Sequence, residues 1–204
     1  AIIAICNPLG SLGGTVTEGI ISALDREITI NSQPMNLLQI SAAVNPGNSG
    51  GGLFNAFGEL VGIVNSKSTS SSSSTPIEGL GFAVPINTAV EVATSIIDSG
   101  YVTGRPVFGI TVIDISSEQA AYQYGVTRLG VYVNSVTKGM GADKAGVAEG
   151  DYLVSIDSVA VSSSAEVIKI LNGHTVGDTV ELQIIRDNKI LTLSVELMEN
   201  IPTK

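Results

Sequence analysis

Cysteine occurs once in the 204 residues, as Cys6, so no disulfide can close within the chain and the redox compartment stays open. Histidine also occurs once, as His174, and tryptophan is absent. Basic residues are few: 10 Lys and Arg stand against 19 Asp and Glu, a net charge of -9 that lies on both halves. Nucleic acid is thereby excluded as an expected partner, because phosphate binding needs a basic stripe and none is present. No run approaches the roughly 18 consecutive apolar residues of a membrane-spanning helix, and no basic segment followed by an apolar one opens the chain. No metal cluster, phosphate-binding loop or cofactor motif is found, and no cofactor or metal is expected. What the chain does have is 44% hydrophobic residues and 23 glycines, which suit strands and tight turns better than long helices. The first six residues, Ala1 to Cys6, read as a buried strand without a lead-in, so a natural amino-terminal part is expected to precede them.

Length allows one good core or two modest ones. Up to about Pro85, short apolar runs alternate with Gly, Asn, Pro and Ser clusters, which predicts antiparallel strands and turns. The clearest strands are Thr15 to Leu24, Met35 to Ile40, Glu59 to Asn65 and Gly79 to Val84. Between the last two, the serine-rich run from Ser66 to Pro76 can bury no apolar surface and predicts a mobile loop. Asn87 to Ser99 reads as a helix capped by Asn87 and ended by Gly100, with Ala89, Val90, Ala93, Ile96 and Ile97 at helical spacing. The first domain is therefore expected over 1–100, a linker over 101–106, a second strand-rich domain over 107–199 and a tail over 200–204. In the second domain, helices are predicted near Ser116 to Tyr124 and Ser163 to Asn172. Strands Thr179 to Arg186 and Lys189 to Leu197 are joined by a tight turn at Asp187-Asn188.

The segment carrying most chemistry is Asn45-Pro46-Gly47-Asn48-Ser49-Gly50-Gly51. A nucleophilic serine needs an exposed Oγ beside main-chain N–H groups that converge on a tetrahedral oxyanion, and flanking glycines permit both. The N–H groups of Gly47 and Ser49 are the natural donors. An ordinary Gly/Asn turn between strands is the plainer reading of the same residues.

Five blocks in order settle the resemblance: Asn7 to Gly10, Thr15 to Ser22, Asn45 to Gly51, Gly58 to Ile63 and Gly79 to Pro85. Together they resemble the second barrel of HtrA (DegP-like) serine proteases. The resemblance implies a mainly β fold in which residues 1–100 form the C-terminal barrel of a trypsin-like double β-barrel. It makes Ser49 the nucleophile and Gly47 and Ser49 the oxyanion-hole amides, with Asn48 between them in the turn. Ala43, Val44 and Asn45 match one wall of the primary specificity pocket, and Gly81 and Ala83 the opposite wall. Asn65, Ser66 and Lys67 match the edge where substrate pairs as an added strand. A pocket floored by Val44 without an acidic residue predicts a small or medium aliphatic side chain before the scissile bond.

Two departures stand out. Ile40-Ser41-Ala42 occupies the place of a usual Thr-Asp-Ala, which puts anchoring of the local loop in question, and Cys6 replaces a common glycine. Cys6 has no cationic neighbour to activate it and is expected in the core. The family's base and orienting acid come from the first barrel, so the catalytic His and Asp are expected upstream of Ala1, and His174 is expected to be a surface side chain near a turn. Without the base, turnover falls by on the order of a million-fold, so these residues alone are expected to be inactive. Half of a double barrel is also expected to expose an apolar face.

From Val107-Phe108-Gly109-Ile110 and the stretch Ala142 to Asp157, the second domain resembles a bacterial PDZ domain, an α+β fold. The resemblance implies that N–H groups around Phe108, Gly109 and Ile110 hold a peptide's terminal carboxylate. The strand through Ile110, Thr111 and Val112 would take up the peptide as an added strand, and Ile168 and Leu171 would line the pocket for its last side chain. Plain core packing is the alternative for Phe108, Ile168 and Leu171. Two functions are then in play. One is an extracytoplasmic endopeptidase of protein quality control, anchored or assembled as a trimer through upstream residues, acting on unfolded protein or peptides and regulated through its PDZ groove. The other is a non-catalytic peptide-binding module on a degenerate protease scaffold.

Overall fold

The structure is a computed structural model that describes residues 1–7, 14–30, 33–45, 47–65 and 80–202. The expected serine-rich loop, Pro8 to Gly10 of the first matching block, Pro46 and Gly79 lie outside the described residues. Two compact units divide the chain, Ala1–Gly100 and Tyr101–Lys204.

The first unit is one antiparallel sheet built from β1 (Ile2–Cys6), β2 (Thr15–Gly19), β3 (Ile21–Ile30), β4 (Gln33–Ile40), β5 (Gly52–Asn55), β6 (Leu60–Asn65) and β7 (Gly81–Pro85). Their order across the sheet is β2-β1-β5-β6-β7-β4-β3. Only Ile20 separates β2 and β3, the strands at the two edges, so the sheet must curl back on itself. The run expected as one strand from Thr15 to Leu24 is thus two strands, broken where the chain turns the corner. The break is sterically specified: a Cβ on Gly19 would stand 2.4 Å from the Ala42 nitrogen, so only glycine lets the corner meet the chain after β4. β1 alternates buried and exposed residues, which sends Ile2, Ala4 and Cys6 into a core shared with Leu38, Ile40 and Leu53. Cys6 is therefore a core residue, and burial pushes its thiol pKa up, away from reactivity. The opposite face of β1 leaves Ile3 and Ile5 exposed, next to Val16 on β2.

Helix α1 (Ile86–Ser99) closes the unit. Gly100 ends it at φ 81°, donating to the Ile96 carbonyl at 2.8 Å. The expected cap is corrected: Pro85, not Asn87, holds the N-cap position and offers no side-chain bond, because the helix starts directly from the end of β7. None of its residues is buried.

In the second unit, β9 (Ile110–Ile115), β10 (Gly130–Val136), β11 (Tyr152–Ile156), β13 (Thr179–Arg186) and β14 (Lys189–Glu196) form a sheet in the order β14-β13-β11-β10-β9, with β12 (Val159–Ala160) paired to β11. Asp187 and Asn188 take left-handed φ values of 51° and 59°, the two-residue turn whose twist suits a hairpin, and Arg186 pairs with Lys189 across it. Helices α2 (Glu118–Tyr124), α3 (Gly141–Lys144) and α4 (Ser164–Leu171) complete the unit. Ser117 and Ser163 cap α2 and α4 with side-chain bonds. The core gathers Val131, Leu153, Ile156, Leu182, Ile184 and Leu197. The expected linker is partly built into this unit: β8 (Pro106–Val107) pairs with β15 (Met198–Glu199), and the Gly104 N–H donates to the Glu199 carboxylate at 2.8 Å.

Candidate functional site

Two consecutive turns carry the serine loop between β4 and β5. In the first, the Asn48 N–H donates to the Asn45 carbonyl at 3.0 Å around Gly47, whose φ is 97°. In the second, the Gly51 N–H donates to the Asn48 carbonyl at 3.0 Å around Gly50, whose φ is 87°. Both glycines occupy conformations that cost other residues about 1–2 kcal/mol, which explains their pattern around the serine. Ser49 lies at the exposed crest of the second turn, while Asn48 points inward and is 2% exposed. The Gly47 N–H donates to no group among the described residues.

The loop is tied to the sheet at both ends. The Gly50 N–H donates to the Val64 carbonyl and the Val64 N–H to the Gly51 carbonyl, each at 2.8 Å, which fastens the turn to β6. Gly51 sits where a Cβ would meet Cys6 Sγ at 2.6 Å and the Ile5 carbonyl oxygen at 2.7 Å, so the loop lies directly on β1. On the entry side, Ser41 anchors the chain despite lacking a carboxylate. Its Oγ accepts the Ile20 N–H at 3.0 Å, and its own N–H donates to the Ile20 carbonyl at 3.1 Å. Sequence reasoning missed this reciprocal pair, since a hydroxyl at that position gives no signal of its own.

Of the residues assigned to the specificity pocket, Val44 and Gly81 come together: a Cβ on Gly81 would stand 2.8 Å from Val44 Cγ2. Val44 is half-buried against the first core, Ala43 is exposed with its carbonyl accepting from Thr17 Oγ1 at 3.0 Å, and Asn45 is exposed. Asn65 ends β6 beside Phe82. Ser66 and Lys67 lie outside the described residues. Ala83, expected in the opposite wall, is 0% exposed and pairs with Leu38 and Val64 in the sheet as part of the first core.

His174 stands in the second unit, where its Nε2 is 3.1 Å from the Asp157 carboxylate and its Nδ1 2.9 Å from the Ile170 carbonyl. The Ile170 bond, joined by the Asp157 charge, raises its pKa above the ordinary histidine value. It ties the end of α4 to the turn after β11.

In the second unit, β9 forms one edge of the sheet, with α4 packed beside it. Gly109 enters β9 at φ 83°, and its carbonyl accepts the Thr137 N–H at 2.7 Å. The Phe108 carbonyl accepts the Ala142 N–H at 2.9 Å. Both carbonyls are thus occupied, while the Gly109 N–H has no partner among the described residues. Ile110 and Val112 are half-buried on the face toward the main core, and Thr111 is exposed, its hydroxyl 2.7 Å from that of Ser135. Ile168 is half-buried on α4. Phe108 is a core side chain at 2% exposure, and Leu171, expected in the groove or in the core, is part of the same core cluster at 9%. One turn of helix separates their roles: Val167 and Leu171 face inward, and Ile168 lies to the side.

Comparison with known proteins follows the two units. Residues 1–63 match the trypsin-like peptidase domain family and residues 106–197 the PDZ domain family. The serine protease Do-like HtrA of Lactococcus lactis is 39% identical over 211 residues, covering 97% of this chain and 51% of the relative. The serine protease Do-like HtrB of Bacillus subtilis is 41% identical over 209 residues, covering 96% and 44%. Among solved structures, an HtrA-type protease AlgW with a decapeptide superposes with a TM-score of 0.65 at 32% identity, over 99% of this chain and 61% of that one. The chain spans about half the length of the curated relatives it matches. Since single relatives run through both units in the same order, the chain is similar along its whole length to HtrA (DegP-like) serine proteases, with a segment that matches the trypsin-like peptidase family followed by one that matches the PDZ domain family.

Proposed function

We propose that the protein to which these residues belong is a serine endopeptidase of HtrA type, in which Ser49 attacks the scissile carbonyl and the N–H groups of Gly47 and Ser49 hold the oxyanion. The observation that carries this reading is the pair of glycine-centred turns from Asn45 to Gly51, which sets Ser49 at an exposed crest with the Gly47 N–H donating to no group among the described residues. An amide held in place by the turns around it stabilises a developing negative charge without reorganisation. Asn48 positions the two donors by filling the buried side of the turn. The base and its orienting acid come from residues upstream of Ala1. Val44 and Gly81 bound an apolar subsite for a small aliphatic side chain. Unfolded protein and peptides are the substrates. The second unit binds peptide C-termini between β9 and α4, with the Gly109 N–H directed to the carboxylate. The protein works outside the cytoplasm, as the periplasmic endoproteases of Salmonella typhimurium and Rickettsia conorii that it resembles are named to do. Assembly as a trimer, and anchoring to a membrane, belong to the upstream residues.

The experiment is covalent labelling with a fluorophosphonate, using a form extended upstream to include the base. Modification at Ser49 that disappears in Ser49→Ala is expected. A second reading, a peptide-binding module on an inactive scaffold, is favoured by the engagement of His174 with Asp157 and Ile170 in the other unit. An extended form whose Ser49 stays unlabelled while peptides still bind would establish that second reading instead.

A further inference from the structure

The neighbouring stretches of β9 and α4, the two sides of the groove proposed above, are not uniform along their length. At one end lie the half-buried Ile110, Val112 and Ile168. At the other, Asp114 reaches across from β9 to the first residue of α4: Oδ1 accepts the Ser164 N–H and Oδ2 the Ser164 hydroxyl, both at 2.7 Å. Fifty positions separate the partners in sequence, so this is a tertiary bridge between the two walls of that groove. The N–H it captures is one of those that a helix start leaves unpaired, and a carboxylate there also meets the positive end of the helix. Two charge-assisted bonds of this length fix the spacing of the walls.

We propose, on the basis of the peptide-groove reading above, that Asp114 is a specificity-determining residue: it makes the groove prefer a basic side chain, and reject an acidic one, at the fifth residue from a bound carboxyl terminus. The position follows from strand geometry. A peptide added antiparallel to β9, with its last residue opposite Ile110, advances one residue per residue and places its fifth-from-last opposite Asp114. Residues opposite one another in an antiparallel pair carry their side chains on the same face, about 5 Å apart. Asp114 shares its face with Ile110 and Val112, whereas Ile113 and Ile115 pack into the separate cluster around Tyr132. The last, third and fifth residues of the peptide therefore face the α4 side, and the fourth faces away. Each Asp114 oxygen accepts one bond from Ser164 and retains room for another, so the carboxylate can serve the bridge and a peptide cation together. The bridge holds it in place, which spares a lysine or arginine ligand the cost of ordering its partner.

The test uses the 204-residue chain and fluorescein-labelled Gly-Gly-Xaa-Ala-Ala-Ala-Val with a free carboxylate, binding being read by fluorescence anisotropy at low salt. With Xaa as Lys, Kd is expected to be roughly two- to five-fold lower than with Glu, the range of a partly exposed ion pair. Moving the same Lys or Glu one residue closer to the terminus should erase the difference, which a general attraction to an acidic protein would not do. Asp114→Asn should equalise the two peptides while keeping the bridge, since its amide oxygen still accepts from the Ser164 N–H and its NH2 donates to Ser164 Oγ. Should that variant fail to fold, 0.5 M salt should abolish the preference in the unaltered chain. Tails that bind with no Lys preference at the fifth position, or with a preference that follows the charge to the fourth, overturn the role of Asp114 and leave the groove standing. A chain that binds none of the tails overturns both.

Discussion

Asn48 is 2% exposed, and its Oδ1 accepts no hydrogen bond among the described residues. Four strand and turn bonds around it hold the turn that exposes Ser49. A second buried polar residue, Asp151, is fully satisfied: Arg186 donates to both its oxygens at 2.6 Å, and the Ala148 N–H donates to Oδ2 at 2.8 Å. Removing the cation leaves a carboxylate at 1% exposure facing one donor. Arg186→Met is expected to cost about 2–3 kcal/mol in urea denaturation, less than for a wholly buried pair because the arginine is itself partly exposed. Asp151→Asn combined with Arg186→Met should recover part of that loss. His174 gives a pH dependence. Its folded pKa lies above the unfolded value of about 6.5, so its contribution is complete below that value and disappears as pH rises through the folded pKa. Thermal unfolding of the chain and of His174→Gln should differ most at pH 5.5 and converge by pH 9; a gap that widens with pH contradicts the assignment. Neither contact was legible in the sequence, because Asp151 and Arg186, like Asp157 and His174, meet only once separate strands and helix ends are brought together.

Turns and strands were legible to different degrees. Asn45 to Gly51 announced its conformation through glycines at the two positions that take positive φ. Asp187-Asn188 announced a hairpin for the same reason, since residues tolerant of left-handed backbone are few. The corner at Ile20 was not announced: Thr15 to Leu24 is rich in strand-forming residues on both sides of Gly19, and the break depends on Gly19 meeting Ala42 across the sheet. Strand β5 went unpredicted because its four residues are too short to show alternation. Gly51 offers the test at this scale. Its requirement is one of space, so Gly51→Ala should lower stability by about 1–3 kcal/mol in thermal unfolding and displace the Ser49 turn from β1. Gly50→Ala meets nothing within 4 Å and is strained only through φ, at a cost of about 1–2 kcal/mol. Equal, negligible losses in both would mean that the loop does not rest on β1.

Across the chain, the first unit keeps Ile3 and Ile5 of β1 exposed beside Val16 of β2, and Leu24 of β3 is exposed as well. Activity measured on the 204 residues alone should stay at background, whereas an upstream-extended form should cleave after Val, Ala or Ile; predominant cleavage after Lys or Arg would rule out the Val44 subsite. The sequence by itself determined most of the elements, the two-unit order and the glycine-centred turns around Ser49, because turn residues and apolar alternation act over neighbours a few positions apart. Only the tertiary structure decided that Ala83 and Leu171 are core, that Ser41 replaces a carboxylate as an anchor, and that Asp114 bridges to Ser164. Those outcomes depend on which faces of distant segments share space, and burial is a property of the assembled sheet rather than of any residue's own pattern.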